Sequence, residues 1–281
     1  MTHPLRFGLK LSGQDTTIDA LRAVWRIADE SGFDHVWDFD HLASIGGGGP
    51  DRPVYEGWTL QAAMAEATRR VRIGCLVTGN TYRNPALLAK SAVTVDHLSG
   101  GRLDIGIGAG SDQREHRELG IAYPGDRERT ERLEEAVQVI RLLMAGDRAS
   151  FDGAHYHLDG GALRPPPAQS PTPPIWIGAG GDRRTIPIAA RRADVWHCFS
   201  DFEELPHKLA VFAEAAERAG RDPASVTKAT NLSIDDDWED VAERVRALRE
   251  LGFAYLVVPW PAGGEERVEE FAHRVMPRLL G

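Results

Sequence analysis

Cysteine is scarce in this chain of 281 residues: two occur, Cys75 and Cys198, each inside an apolar run. Thiols so placed are core-facing residues rather than a disulfide framework, and they suit a reducing, cytoplasmic setting. No uninterrupted apolar stretch reaches the roughly 18 residues that a membrane-spanning helix needs. The opening M-T-H-P-L-R-F-G carries no apolar segment of the signal-peptide kind. Excess positive charge is missing too. With 33 Lys and Arg against 42 Asp and Glu, the formal net charge is -9. That balance argues against a general binder of nucleic acid or anionic membrane, though not against a small anionic ligand held by local Arg and backbone amides.

What is present is a regular alternation. Strand-like apolar runs begin near Leu5, Phe33, Val71, Leu103, Pro174, Ala193, Val226 and Phe253. Helical patterns lie between them at residues 18–31, 58–68, 85–98, 129–144, 184–191, 203–219 and 238–251, with 268–280 closing the chain. Several end at a glycine, Gly32, Gly100, Gly146, Gly220 or Gly252, where a left-handed cap is expected. A strand, a helix and a strand within about thirty residues form a parallel crossover unit. Eight such pairs predict a single (β/α)8 TIM barrel over residues 1–281, a fold for which about 250 residues is usual. An open doubly wound sheet is the alternative, weakened by the lack of a G-x-G-x-x-G after the first strand. The gap between the fourth and fifth strands is long. It holds the fourth helix and then a short insertion, about residues 147–173, in which F-D-G-A-H-Y-H-L-D-G-G reads as a small hairpin ahead of a Pro-rich rim.

Ligands bind α/β barrels at the carboxyl ends of the strands. Four loops stand out there: Asp38-Phe39-Asp40-His41, the run from Val77 to Tyr82, the run from Gly108 to Asp112, and the run from Gly178 to Thr185. The last suits a phosphate, because its small residues let backbone amides approach and a helix start follows. His155 and His157 have the spacing of a partial metal site but no third ligand, so no metal is expected. Trp58 and Trp176 read as core residues at element ends.

The runs G-x-L-V-T-G-N-T-Y-R-N-P-A-L-L-A-K and V-D-H-L-S-G-G-R-L-x-I-G-I-G-A-G resemble the luciferase-like monooxygenase family. Within it they are most similar to oxidoreductases dependent on the deazaflavin coenzyme F420. D-F-D-H after the second strand, E-G-W-T-L-Q-A-A at 56–63 and P-P-I-W-I-G-A-G-G-D-R-R-T at 173–185 fit the same branch in order and spacing. The resemblance implies an enzyme that transfers a hydride between coenzyme F420 and a small organic substrate. The cofactor would lie across the carboxyl ends of the strands. A cis non-prolyl peptide at Leu76–Val77 would form a bulge behind its ring, with Thr78 and Asn80 on the ring's polar edge and Asp40 over its centre. Gly108 and Gly110 would permit close approach, while Gly178, Ala179, Gly180 and Gly181 with Arg183 would hold the phosphate. His41 is the implied acid or base, beside Asp40. A His that merely hydrogen-bonds a neighbouring loop is its alternative role.

Two positions depart from the sugar-phosphate dehydrogenases of that family. Ile45 stands where they carry Trp, and Ser111 where they carry Glu, which counts against their alcohol-oxidising mechanism here. Glu115 and His116, one turn further on, could substitute for that Glu, but a solvated loop face is the reading preferred. Rival readings are a flavin mononucleotide (FMN)-dependent monooxygenase of the same family, a carrier that binds deazaflavin without turnover, and a phosphate-recognising lyase or isomerase. The last would want a Lys near a strand end, and none is expected there. The expected partner is a small molecule, with neither nucleic acid nor membrane. The resemblance also implies a homodimer.

Overall fold

Leu103–Gly108 is almost continuously apolar because it is covered on both sides, by the barrel interior and by outer helices; all six residues are buried. The same logic shapes its neighbours in the computed structural model, which describes residues 3–46, 49 and 51–280. The strands are β1 (Arg6–Lys10), β2 (His35–Asp38), β3 (Arg72–Cys75) with its displaced continuation β4 (Thr78–Gly79), and β5 (Leu103–Gly108). An antiparallel hairpin of β6 (Ala149–Asp152) and β7 (His157–Gly161) stands apart. The barrel resumes with β8 (Ile175–Gly178), β9 (Val195–Cys198), β10 (Thr227–Asn231) and β11 (Tyr255–Pro259). Parallel pairing of β1 with β11 and of β3 with β5 closes the ring. The expected (β/α)8 barrel is the observed one.

The outer layer comprises α1 (Ile18–Glu30), α2 (Gly57–Ala67), α3 (Pro85–Leu98), α4 (Gln113–Glu118), α5 (Asp126–Met144), α6 (Thr185–Arg192), α7 (Leu205–Arg218) and α8 (Trp238–Glu250). It ends with α9 (Gly264–Glu270), a π turn over Phe271–Val275, and α10 (Met276–Leu280). The five glycines expected to cap helices all have positive φ. Two elements differ from expectation. The run 71–77 does not make one strand but breaks after Cys75, with the Leu76–Val77 peptide cis as the resemblance implies. The segment after Ser111 is not open loop but the helix α4. Among the described residues no helix is long and apolar enough to cross a membrane.

Phe7, Phe33 and Phe271 pack between strands and helices. Inside the barrel, Trp37, Trp176 and Tyr255 fill the amino-terminal half. Beneath them His35 Nε2 donates to Asp104 Oδ2 at 2.8 Å, Trp176 Nε1 donates to the same oxygen at 2.7 Å, and the Tyr255 hydroxyl meets His35 Nδ1. A buried polar network with every member paired is rigid. It fills that half of the barrel interior, although a cavity of about 690 Å³ lined by His35, Asp104 and Tyr255 also opens at the amino-terminal rim.

Candidate active site

A cavity of about 400 Å³ opens at the carboxyl ends of the strands. One part of its wall is the bulge between β3 and β4, where Leu76 and Val77 face it with Thr78 and Gly79. The bulge fits because its neighbours lack side chains. A Cβ on Gly108 would lie 2.8 Å from Val77 Cγ2, and one on Gly178 would lie 3.0 Å from Val77 Cγ1. A Cβ on Gly106 would meet the Cys75 carbonyl oxygen at 2.0 Å. Gly108 therefore makes room first for Val77, not only for a ligand. Gly110 has φ +83, and a Cβ there would strike Thr81 Oγ1. Thr78 lines the cavity and accepts from Trp58 Nε1 at 3.0 Å, which makes Trp58 a buried strut.

Asp40 is buried and gripped by Arg83, whose Nη2 donates to Oδ1 at 2.9 Å while Nη1 donates to Oδ2. Arg83 also bonds Glu56, and Glu56 caps α2 by accepting from the Thr59 amide at 2.7 Å. One guanidinium thus ties together the loops after β2 and β4 and the start of α2. Burial pushes the Asp40 carboxyl up to about 6, against the opposing pull of Arg83.

His41 lines the same cavity, and its Nδ1 lies 2.9 Å from Glu115 Oε1. The Glu115 side chain has no solvent exposure. Its Oε2 accepts from the amides of Leu42 at 2.9 Å and Ala43 at 3.2 Å, and the Tyr82 hydroxyl donates to Oε1. Burial pulls this carboxyl upward, but the donors outweigh it and hold the group at about 2. His116 is buried too: Nδ1 bonds the Asp112 carbonyl oxygen, Nε2 lies 2.7 Å from Thr81 Oγ1, and the ring stacks on Tyr82. The expected solvated face is therefore wrong, because both side chains turn inward from α4. A signal was there to find it. Asp112, three residues ahead of Glu115, is a helix-start pattern, and Asp112 does cap α4 by accepting from the Arg114 amide at 2.8 Å.

Other expectations divide. Gly178, Gly180 and Thr185 line the cavity, but Ala179, Gly181 and Arg183 do not. The Ala179 amide is taken by the His197 carbonyl at 3.0 Å, continuing the β8–β9 pairing, and the Gly181 amide by Thr185 Oγ1 at 3.0 Å. Arg183 is exposed. Asn80 is buried yet faces a second, smaller cavity beside Arg132 and Tyr156, and its Oδ1 has no partner among the described residues. His155 pairs with Glu131, His157 with Asp152, and among the described residues no three His, Cys, Asp or Glu converge as metal ligands would.

Lys10 went unseen in the sequence. It ends β1, lines the cavity, and has no hydrogen-bond acceptor among the described residues. Burial lowers its pKa, with Cys75 and Asp38 pulling the other way. A Lys does stand at a strand end, contrary to expectation. The pattern that could have revealed it is period-two alternation, since Phe7 and Leu9 pack toward the helices and put Gly8 and Lys10 on the inner face.

Comparison with known proteins gives the arrangement its context. The family described as luciferase-like monooxygenase matches residues 2–273. An F420-dependent glucose-6-phosphate dehydrogenase from Kineococcus radiotolerans is 32% identical, over 86% of this chain and 72% of that protein. An F420-dependent hydroxymycolic acid dehydrogenase from Mycobacterium tuberculosis is 32% identical over 80% of this chain and 61% of that protein. An F420-dependent secondary alcohol dehydrogenase, solved with an F420–acetone adduct, shares the fold with a TM-score of 0.87 at 19% identity, covering 98% of this chain and 99% of that one. The match from one end to the other, together with the barrel and its bulge, means that the chain belongs to the luciferase-like monooxygenase family.

Proposed function

We propose that this protein is an oxidoreductase that transfers a hydride between the deazaflavin coenzyme F420 and a small alcohol or carbonyl compound. The observation that carries this reading is one cavity that joins an apolar bulge, set between Gly108 and Gly178, to a histidine backed by a buried carboxylate. Relatives at 32% identity that are named F420-dependent dehydrogenases support the choice of coenzyme.

The residues fit a flat, tricyclic group. Leu76 and Val77 offer an apolar bed, the side-chain-free walls at Gly108 and Gly178 leave width, and Thr78 and Asp40 supply polar edges. Gly180 and Thr185, at the start of α6, are placed for the phosphate of the same molecule, while Arg183 reaches it only by turning in from solvent. When bound, the coenzyme supplies the hydride-carrying carbon. The chain supplies orientation, exclusion of water and a proton site at His41 Nε2. That nitrogen takes the hydroxyl proton in oxidation and returns it to the oxygen in reduction. The buried, unpaired thiols Cys75 and Cys198 are in keeping with work in the cytoplasm.

A side-by-side fluorescence titration with oxidised deazaflavin and FMN tests the reading. Deazaflavin should bind at least about tenfold more tightly, a difference of about 1.4 kcal/mol. Equal or reversed affinities would favour a flavin monooxygenase instead.

A further inference from the structure

We propose that Glu115 is a positioning residue that sets the working state of His41, holding the proton on Nδ1 so that Nε2 meets the substrate as a bare lone pair. The inference rests on the reading above, in which His41 exchanges the substrate proton, and adds what makes that exchange competent.

A neutral imidazole carries one N–H and one lone pair, and a carboxylate can only accept. Glu115 is a carboxylate at every working pH, with its carboxyl held at about 2. The 2.9 Å contact therefore requires the proton on Nδ1. Four donors surround the two carboxylate oxygens: His41 Nδ1, the Tyr82 hydroxyl and the amides of Leu42 and Ala43. A carboxylate has about four lone-pair sites, so this one has no acceptor left over for water or substrate. Sealed from solvent and absent from the cavity lining, it cannot itself exchange a proton with a ligand. Its remaining role is electrostatic and geometric.

The support is rigid. The Leu42 and Ala43 amides follow His41 directly, so the carboxylate that fixes the ring also fixes the backbone that carries it. His116, next in the chain, pins α4 to Thr81 and to the Asp112 carbonyl. In oxidation the substrate O–H proton would pass to Nε2 as the carbon bearing that oxygen gives up its hydride to the deazaflavin and becomes a carbonyl. The imidazolium so formed then donates from both nitrogens, with its charge against the buried anion. In reduction the proton returns from Nε2 to the carbonyl oxygen. The departure at Ser111 is thus no gap in the site, because the carboxylate that serves His41 lies four residues further on.

The test is ¹⁵N NMR of the histidine rings in the full chain, with and without bound deazaflavin, for the wild type, Glu115→Gln and Tyr82→Phe. It is paired with deazaflavin reduction by 2-propanol, 2-butanol and cyclohexanol. Wild-type His41 should show the Nδ1–H form, and Glu115→Gln should lose that preference. Turnover by Glu115→Gln should fall by about 10²-fold or more, with KM and coenzyme affinity within about threefold, since a misplaced tautomer damages the proton step and not binding. Tyr82→Phe keeps the His–Glu contact, so it should keep the tautomer and lose less than about tenfold. A wild-type His41 protonated on Nε2 overturns the inference whether or not Glu115→Gln folds and whichever alcohol reacts. So does a Glu115→Gln enzyme with unchanged tautomer and rate. His41→Asn separates the two layers: if it keeps full turnover while wild-type His41 shows the Nδ1–H form, the functional reading of His41 fails and the positioning geometry stands.

Discussion

The Val77 side chain occupies the space that a methyl group on Gly108 would need, 2.8 Å from Cγ2, and it crowds Gly178 in the same way. Two glycines on separate strands, β5 and β8, thus face one valine in the bulge between β3 and β4, with Phe199 also close to Gly178. Gly108→Ala should push the bulge into the cavity, destabilise the fold by about 1–3 kcal/mol and weaken deazaflavin binding by about tenfold. Adding Val77→Ala should recover most of both losses, giving a coupling of about 0.5–3 kcal/mol in a double-mutant cycle measured by urea unfolding. Additive losses would mean that Gly108 is required by something other than Val77.

His41→Asn should lower turnover by about two to four orders of magnitude while leaving coenzyme affinity nearly unchanged. The asparagine keeps a polar group at the site but cannot shuttle a proton. Steady-state kinetics beside a fluorescence titration separates the two effects. Retention of rate within a few-fold would assign the proton to water or another group and return the carrier reading to favour.

Asp40 gives a pH dependence with a definite sign. Its carboxyl sits at about 6 in the folded chain against 3.8 as the ordinary value, with burial as the main cause. Between those values the folded chain holds a proton that the unfolded chain has released, so the stability from this group is lost as pH rises from about 4 to about 6. The difference corresponds to about 3 kcal/mol at most. Asp40→Asn should remove this slope. In urea unfolding at pH 4–7.5, the stability of Asp40→Asn relative to wild type should climb across that window and then level off. A flat difference would show that Arg83 keeps Asp40 ionised throughout.

How much of this was legible in the sequence follows from what each signal measures. Apolar runs report burial on both strand faces, and they located all eight barrel strands. The bulge came only through the family resemblance of the G-C-L-V-T-G-N run, not from any local pattern. Periodicity is blind to an element as short as α4, whose six residues make under two turns, so Glu115 and His116 were misplaced on a solvated face. Side-chain direction past a strand end was equally hidden. Asn80 and Thr78 lie two apart in one motif, yet a kinked chain turns Asn80 into the second cavity and leaves Thr78 in the first. Ala179 was placed correctly in the loop, but its amide proved to belong to the β8–β9 ladder. Tertiary pairing, which no local pattern reports, decided each of these.

Lys10 sets stability against function at a single position. Its amine lines the cavity without a hydrogen-bond acceptor among the described residues, and burial lowers its pKa. In the window between that lowered value and 10.5, the folded chain binds fewer protons than the unfolded one, so stability rises with pH there. At neutral pH the charge is carried at a cost. Lys10→Met keeps the length and the apolar stem while removing the ammonium. It should stabilise the fold by about 0.5–2 kcal/mol, the usual gain when a group kept for function is replaced. Turnover should change in the other direction: substrates with a carboxylate or phosphate should lose more in kcat/KM than neutral alcohols do, since only the former place a negative charge near the amine. Thermal unfolding at pH 7 beside kcat/KM for a neutral and an anionic alcohol reads both effects. A destabilised Lys10→Met would mean that the ammonium serves the fold through Asp38 below it, and equal losses on both alcohols would remove Lys10 from substrate selection.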